Sequence, residues 1–199
     1  MITKVVGIDL AGSPKRNTGI CLMYNKRIVK YATLHGNDEI ISFVKEASPE
    51  VIGIDAPLSL PPGRKSLEDN NGVHLRECDR ELLKRKIRFF PVTLGPMRML
   101  TMRGLELKKK FRRMGFDSYE MFPGATQDVF GIPRKQHSLT GLYKGLVGLG
   151  IKGMKKDMNN DELDAVTCAY TAYLFLKGKA EILGSLKKGA IIIPKHSKL

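Results

Sequence analysis

Four aspartates carry the chemistry that this sequence can support. Asp9 ends the run Lys4-Val5-Val6-Gly7-Ile8-Asp9, and Asp55 ends Val51-Ile52-Gly53-Ile54-Asp55, a near copy of it. Asp161 and Asp164 stand three apart in Asp161-Glu162-Leu163-Asp164-Ala165, so a helix there puts them on one face. Carboxylate oxygens are the ligands that hard cations such as Mg2+ take. Two such ions about 3.5–4 Å apart need three or four carboxylates, and together they activate a water and stabilise the leaving oxygen of a phosphodiester. Without a cation, converging carboxylates repel and raise one another's pKa. Each acid also has an ordinary reading. An Asp in a first helical turn complements the helix dipole, and Asp55 before Ala56-Pro57 can cap a turn. The repeated pattern together with the helical pair points instead to a shared Mg2+ or Mn2+. Glu162 turns away from the face shared by Asp161 and Asp164, since one residue is about 100° of helix.

The elements that must position these acids can be read from the pattern. Residues 3–9 and 51–55 are short, apolar and without polar alternation, as central strands covered on both faces are. If they lie side by side and parallel, neighbouring strands about 4.8 Å apart bring both carboxylates to one end of a sheet. Thr18–Tyr24 and Arg27–Leu34 read as further strands joined by tight turns, which makes residues 3–34 an antiparallel meander. Asp38–Ala47 has helical apolar spacing, capped by Asn37 or Asp38 and stopped at Ser48-Pro49. That helical crossover lets 51–55 run parallel to a strand already in the sheet.

Residues 56–74 read as irregular, because Pro57, Pro61 and Pro62 reject helix and central strand alike. Helices follow at 76–86 and about 97–114, the second closed by Gly115. Ser118–Phe122 is a last core strand carrying Glu120. Short helices fall near 125–130 and 139–148. The clearest helix is 159–177, capped by Asn159 or Asn160, and a short segment at 190–193 precedes a basic tail.

The 199 residues suit one domain, 1–199, in which 59–117 forms a basic helical insertion. Formal net charge is +14, and residues 76–115 hold thirteen Lys and Arg against four Asp and Glu. Lys108, Lys109, Lys110, Arg112 and Arg113 are the densest part. Such one-sided charge is self-repelling without an anionic partner, so nucleic acid is the expected partner and a solvated helix face the plain alternative. No apolar run reaches the ~18 residues of a membrane span, and the chain opens on a strand without a signal-peptide pattern. Cys21, Cys78 and Cys168 are odd in number and far apart, which reads as reduced thiols of a cytoplasmic protein. The four His are scattered. Phe89-Phe90 and the Met-rich stretch 97–102 serve either a homodimer face or the core.

The order of elements with Asp9 and Asp55 at strand ends and Asp161–Ala165 opening the last large helix resembles the RNase H-like fold. Within it, the Asp-x-x-Asp-Ala spacing resembles the RuvC-type resolvases. More closely, the chain resembles an uncharacterised family of predicted nucleases with this fold, through Gly7-Ile8-Asp9, Gly53-Ile54-Asp55-Ala56-Pro57-Leu58, Arg76-Glu77-Cys78-Asp79, Glu120-Met121-Phe122-Pro123-Gly124-Ala125, Tyr143-Lys144 and Asp161–Ala165. The resemblance implies an α/β fold whose five-stranded mixed sheet combines the meander with two parallel strands and is flanked by helices. It implies Asp9, Asp55, Asp161 and Asp164 as the catalytic metal cluster, with Glu120 as another ligand or an acceptor supporting the ligands from behind. It also implies substrate-binding roles for Arg76, Asp79 and Lys144, although Arg76 and Asp79 share a helix face and can simply pair.

The leading expectation is a metal-dependent nuclease acting on DNA or RNA. A non-catalytic nucleic-acid-binding protein is the alternative. An actin-like or sugar-kinase-like phosphotransferase shares the sheet, and Gly12, Ser13 and Thr18-Gly19 resemble its first phosphate loop. That reading lacks a second domain and a second glycine-rich hairpin, because prolines follow Asp55.

Overall fold

The computed structural model describes residues 2–195, and the basic tail at 196–199, with His196, lies outside the described residues. The chain runs β1 (Lys4–Asp9), β2 (Thr18–Tyr24), β3 (Arg27–Leu34), α1 (Asn37–Ala47), β4 (Val51–Asp55), α2 (Glu77–Lys84), α3 (Gly95–Arg113), β5 (Ser118–Met121), α4 (Pro123–Val129), α5 (Leu139–Gly148), α6 (Asn160–Leu176), β6 (Ala180–Ser185) and β7 (Gly189–Pro194). One mixed sheet holds the strands in the order β3-β2-β1-β4-β5-β7-β6.

The meander forms as its turns predict, and Asn25 takes φ 53° in the tight turn between β2 and β3. The crossover through α1 returns β4 parallel to β1, in the register that pairs Gly7 with Gly53 and Asp9 with Asp55. β5 continues parallel beside β4. The sheet has seven strands rather than five. The segment 190–193 is the middle of β7, which runs parallel to β5 and pairs antiparallel with β6. This hairpin is weakly marked in sequence. β6 is an edge strand, half-exposed and broken by Gly184 at φ +79°, so it shows neither alternation nor a continuous apolar run.

Strand side chains alternate between two cores, and this parity decides where the acids point. Val6, Ile8, Ile52 and Ile54 face α1 and α3, packing with Phe43, Leu107 and Phe111. Val5 and Val51 face the other way, into a core built on Leu163, Val166 and Ala169 of α6. Asp9 and Asp55 share the parity of Val5 and Val51, so both lie on the α6 side. A third cluster joins α2, α4 and the β6–β7 hairpin through Cys78, Leu82, Ala125, Leu183 and Ile191. Phe89 packs partly against it, whereas Phe90, Met99 and Met102 are exposed. Among the described residues no helix is long and apolar enough to cross a membrane.

The helix α6 lies directly on β1 and β2, because two glycines leave room for its backbone. A Cβ on Gly7 would stand 2.1 Å from the Ala165 carbonyl oxygen and 2.2 Å from the Ala169 nitrogen. One on Gly19, the register partner of Asp9, would stand 2.0 Å from the Asp161 carbonyl oxygen. These neighbours are main-chain atoms and cannot yield by changing rotamer. Gly7→Ala is therefore expected to destabilise the protein by about 3 kcal/mol, the upper end of overpacking costs. Gly148→Ala, whose added methyl meets nothing within 4 Å, should change stability by less than about 1 kcal/mol. Urea unfolding of the two variants checks the contrast, and a Gly7→Ala protein as stable as the parent would refute the close approach.

Candidate active site

The strand ends and the first turn of α6 meet at one end of the sheet. Asp9 and Asp55 are register partners on adjacent parallel strands. Asn159 caps α6, its side-chain oxygen accepting from the Asp161 and Glu162 amides, and the Glu162 carboxylate accepts in return from the Asn159 amide. This cap fixes the rotation of the first turn. Asp161 and Asp164 then face the strands, while Glu162 turns to Thr33 on β3, whose hydroxyl donates to it at 3.2 Å.

A lysine absent from the sequence-based site stands among the acids. Lys135, in the loop between α4 and α5, places Nζ 2.8 Å from Asp164 Oδ2, 3.0 Å from Asp9 Oδ2 and 3.6 Å from Asp161 Oδ1. Asp164 also accepts a 2.7 Å bond from Nε2 of the buried Gln127 on α4. Burial raises the Asp9 carboxyl to about 7, with Lys135 pulling it down and Asp164 and Asp161 pushing it up. Burial, reinforced by Asp9 and Asp164, lifts Asp55 well above the usual carboxylate range. Burial also works against the Lys135 ammonium, but Asp9 and Asp164 outweigh it and hold that ammonium more firmly charged than an ordinary lysine. The three thiols are buried, and their pKa values are raised first by that burial, so none is poised as a nucleophile.

As they stand, no three carboxylate, imidazole or thiol groups among the described residues are spaced to share a metal ion. The Lys135 ammonium occupies the point where three of the carboxylates converge. It is a cation bound by acids from two separate elements, so it marks where the fold expects positive charge. Donors that are all carboxylate oxygens match a hard divalent ion. By that chemistry the residues fit Mg2+ or Mn2+.

Beside the acids opens a cleft of about 570 Å³, between Ser13 and Arg16 of the β1–β2 loop and Met97 and Met99 of α3, with Asp9, Asp161 and Lys135 also in its lining. Arg103 of α3 holds this loop. Its buried guanidinium donates to the carbonyls of Ala11 at 2.7 Å and Ser13 at 3.2 Å, to Asn37 Oδ1 at 2.8 Å, and to the His35 carbonyl. A sequence signal for Arg103 exists, since it falls four residues before Leu107 and eight before Phe111 on the buried stripe of α3. Lys135 has no such signal, being one cation in an irregular loop of a Lys-rich chain.

The remaining expected residues lie elsewhere. Glu120 does not join the acids. It pairs in register with Ile54 and so takes the opposite face of the sheet, where Arg76 grips both its oxygens at 2.7 and 2.8 Å and the Leu58 amide donates to it at 2.8 Å. Arg76 and Asp79 are 3% and 1% exposed, so neither presents itself to a substrate. Asp79 takes the other edge of the same guanidinium, at 2.8 and 3.1 Å. The three form a buried network that ties α2 to β5. Lys144 is exposed on α5 beside a separate cavity of about 370 Å³. Lys108 is half-buried and donates to the Leu58 carbonyl, and Lys110 pairs with Glu106 at 2.9 Å. Lys109, Arg112 and Arg113 are exposed and make no ion pair among the described residues.

Comparison with known proteins bears on this arrangement. The family described as "Protein of unknown function (DUF429)" matches residues 7–118, a span that includes Asp9 and Asp55. Among solved structures, the chain is similar to Thermus thermophilus RuvC in complex with a Holliday junction substrate, at 12% identity and a TM-score of 0.55. A second Thermus thermophilus RuvC structure gives 11% identity and a TM-score of 0.51. Each superposition covers 88% of this chain and 97% of the other. At such identity the likeness is one of fold. No curated protein matches the chain by sequence.

Two outcomes follow from this electrostatics. Arg76→Met should destabilise the protein by about 3–5 kcal/mol, because two buried carboxylates lose the guanidinium that pairs with both. Unfolding by denaturant measures this, and a loss below about 1 kcal/mol would mean that the network is not the support described. The second outcome concerns pH. A carboxyl raised in the folded state from 3.8 to about 7 binds protons more tightly folded than unfolded, so its contribution is fully present below about pH 4 and is lost as pH rises through 7. In metal-free buffer, Asp9→Asn should melt close to the parent at pH 4 and above it at pH 8. A melting difference that stays flat across that range would refute the raised value.

Proposed function

The chain belongs to the DUF429 family of proteins of unknown function and has the RuvC-like, RNase H-like fold, and on that footing we propose that it is a metal-dependent nuclease hydrolysing phosphodiester bonds of DNA or RNA. The observation that carries this reading is the gathering of Asp9, Asp161 and Asp164 around one cation, with Asp55 in register beside Asp9. Glu120 is left out of the proposed ligand set.

Asp9, Asp55, Asp161 and Asp164 would hold Mg2+ or Mn2+. The bound metal supplies Lewis-acid activation of a water and charge stabilisation at the scissile phosphate. The protein's own groups do the rest. The Asn159 cap fixes the first turn of α6 and Gln127 holds the Asp164 carboxylate, which pre-organises the site. Arg103 fixes the β1–β2 loop that forms one wall of the cleft. Exposed Lys109, Arg112 and Arg113 on α3, within the basic segment 59–117, offer sequence-independent contacts to a phosphate backbone. The similar RuvC is in complex with a Holliday junction substrate, which supports nucleic acid as the partner class and makes branched DNA one substrate to try.

One observation favours the second reading, a nucleic-acid-binding protein without catalysis. Lys135 already neutralises part of the acid cluster, so the fold tolerates these acids without a metal. The two readings separate on cleavage. Wild-type protein in Mn2+ is expected to cut at least one of single-stranded, duplex or branched DNA or RNA. Asp9→Asn should lower that rate by at least about a thousand-fold, with nucleic-acid affinity in a filter-binding assay within about two-fold of the parent. Tight binding with no cleavage of any of these substrates would overturn the nuclease and leave the binding protein.

A further inference from the structure

The oxygens of the four acids are not equally committed. Asp164 has both in use, Oδ2 with Lys135 and Oδ1 with Gln127. Asp161 Oδ1 accepts from Asn160 at 3.0 Å and lies 3.6 Å from Lys135. Asp9 gives Oδ2 to Lys135, and its Oδ1 has no partner among the described residues. Asp55 makes no ion pair among the described residues and keeps partial access to solvent. The oxygens without a partner among the described residues are therefore Asp9 Oδ1, Asp161 Oδ2 and both of Asp55, and of these acids only Asp9 and Asp55 are register partners, at the ends of β1 and β4.

Lys135 is also held in from its own side. Its neighbour Arg134 clasps Asp128 at the end of α4, and Ser138 caps α5 just after it, accepting from the Gly141 amide at 2.9 Å. The loop that carries the ammonium is thus tied at both ends. Expelling Lys135 would break three contacts with acids and leave buried negative charge uncompensated.

We propose that Lys135 is a resident cation of the site, so that the protein takes a single divalent ion, between Asp9 and Asp55, rather than two. The proposal rests on the metal-dependent reading given above and narrows its direct ligands to Asp9 and Asp55, with Asp161 and Asp164 holding Lys135. Charge supports the arrangement. Four ionised carboxylates and one ammonium leave three net negative charges; one divalent ion cuts that to one, whereas a second would have to sit against the Lys135 ammonium, a like-charge contact in a buried setting. Lys135 lines the cleft, so its ammonium faces an entering phosphate from the position a second ion would otherwise hold. A lysine in that place is always present and needs no dehydration. It makes Lys135 a substrate-facing group as well as a counter-ion.

Mn2+ titrated into the full-length protein without nucleic acid, followed by calorimetry and by the free-Mn2+ electron paramagnetic resonance signal, counts the ions. The wild type should bind one per chain, and two per chain would overturn the proposal while leaving the metal-dependent reading in place. A wild type that takes up no Mn2+ would sink both. Asp55→Asn, which leaves the three Lys135 contacts intact, should weaken Mn2+ binding at least ten-fold, and an unchanged affinity would refute the assigned position. Lys135→Met, which removes the charge at similar volume, should bind two ions per chain, and a single ion there would count against Lys135 holding the second place. The wild-type and Asp55→Asn measurements decide the matter by themselves if Lys135→Met does not fold.

Discussion

Everything at this site depends on how close α6 can come to the sheet. A helix axis normally stands off a sheet by the thickness of the side chains between them. Here Gly7 and Gly19 remove those side chains, and the carbonyls and amides of α6 sit where Cβ atoms would be. Aspartate is a short side chain. With an ordinary stand-off, carboxylates on a helix could not reach carboxylates on the strands beneath. The same glycines that weaken β1 and β2 as strands are what let four acids from three elements meet.

Bringing like charges together raises an electrostatic problem, and the fold answers it twice in different ways. On the α6 side the acids meet one another around Lys135, with Asp9 and Asp55 held well above their usual pKa by burial. On the opposite face Glu120 and Asp79 share the two edges of Arg76 and are fully engaged. The contrast separates a site from a support. A network in which every donor and acceptor is used holds elements together and has nothing left for a ligand. A cluster with uncommitted oxygens does have capacity left, which is the ground on which it is proposed as the site.

The helix α3 connects these features. Its buried stripe packs Leu107 and Phe111 under the sheet, and Arg103 on that same stripe reaches the loop beside Asp9. Its exposed face carries Met99 and Met102 near the cleft end and the basic Lys109, Arg112 and Arg113 toward the C-terminus. Anchoring on one side and charge on the other make α3 a single rigid link between a surface suited to a phosphate backbone and one wall of the cleft.

Local pattern was enough for β1 to β5, the parallel pairing of the two Val-x-Gly-Ile-Asp strands, the cap of α6 and the separation of Glu162 from its neighbouring acids. All of these follow from periods of two and 3.6 residues and from capping chemistry, which act within a few residues. Glu120 was expected beside the acids from the family resemblance, and the register between β4 and β5 puts it on the other face. The β6–β7 hairpin was hidden because β6 is a half-exposed edge strand interrupted by Gly184, with neither alternation nor an apolar run to mark it. The sequence by itself determined which acids could meet, because strand parity and helical spacing are local. Tertiary structure alone decided what meets them. Lys135 is 126 residues from Asp9, and nothing short of the folded sheet, with α4 and α6 packed on it, brings that ammonium into the cluster.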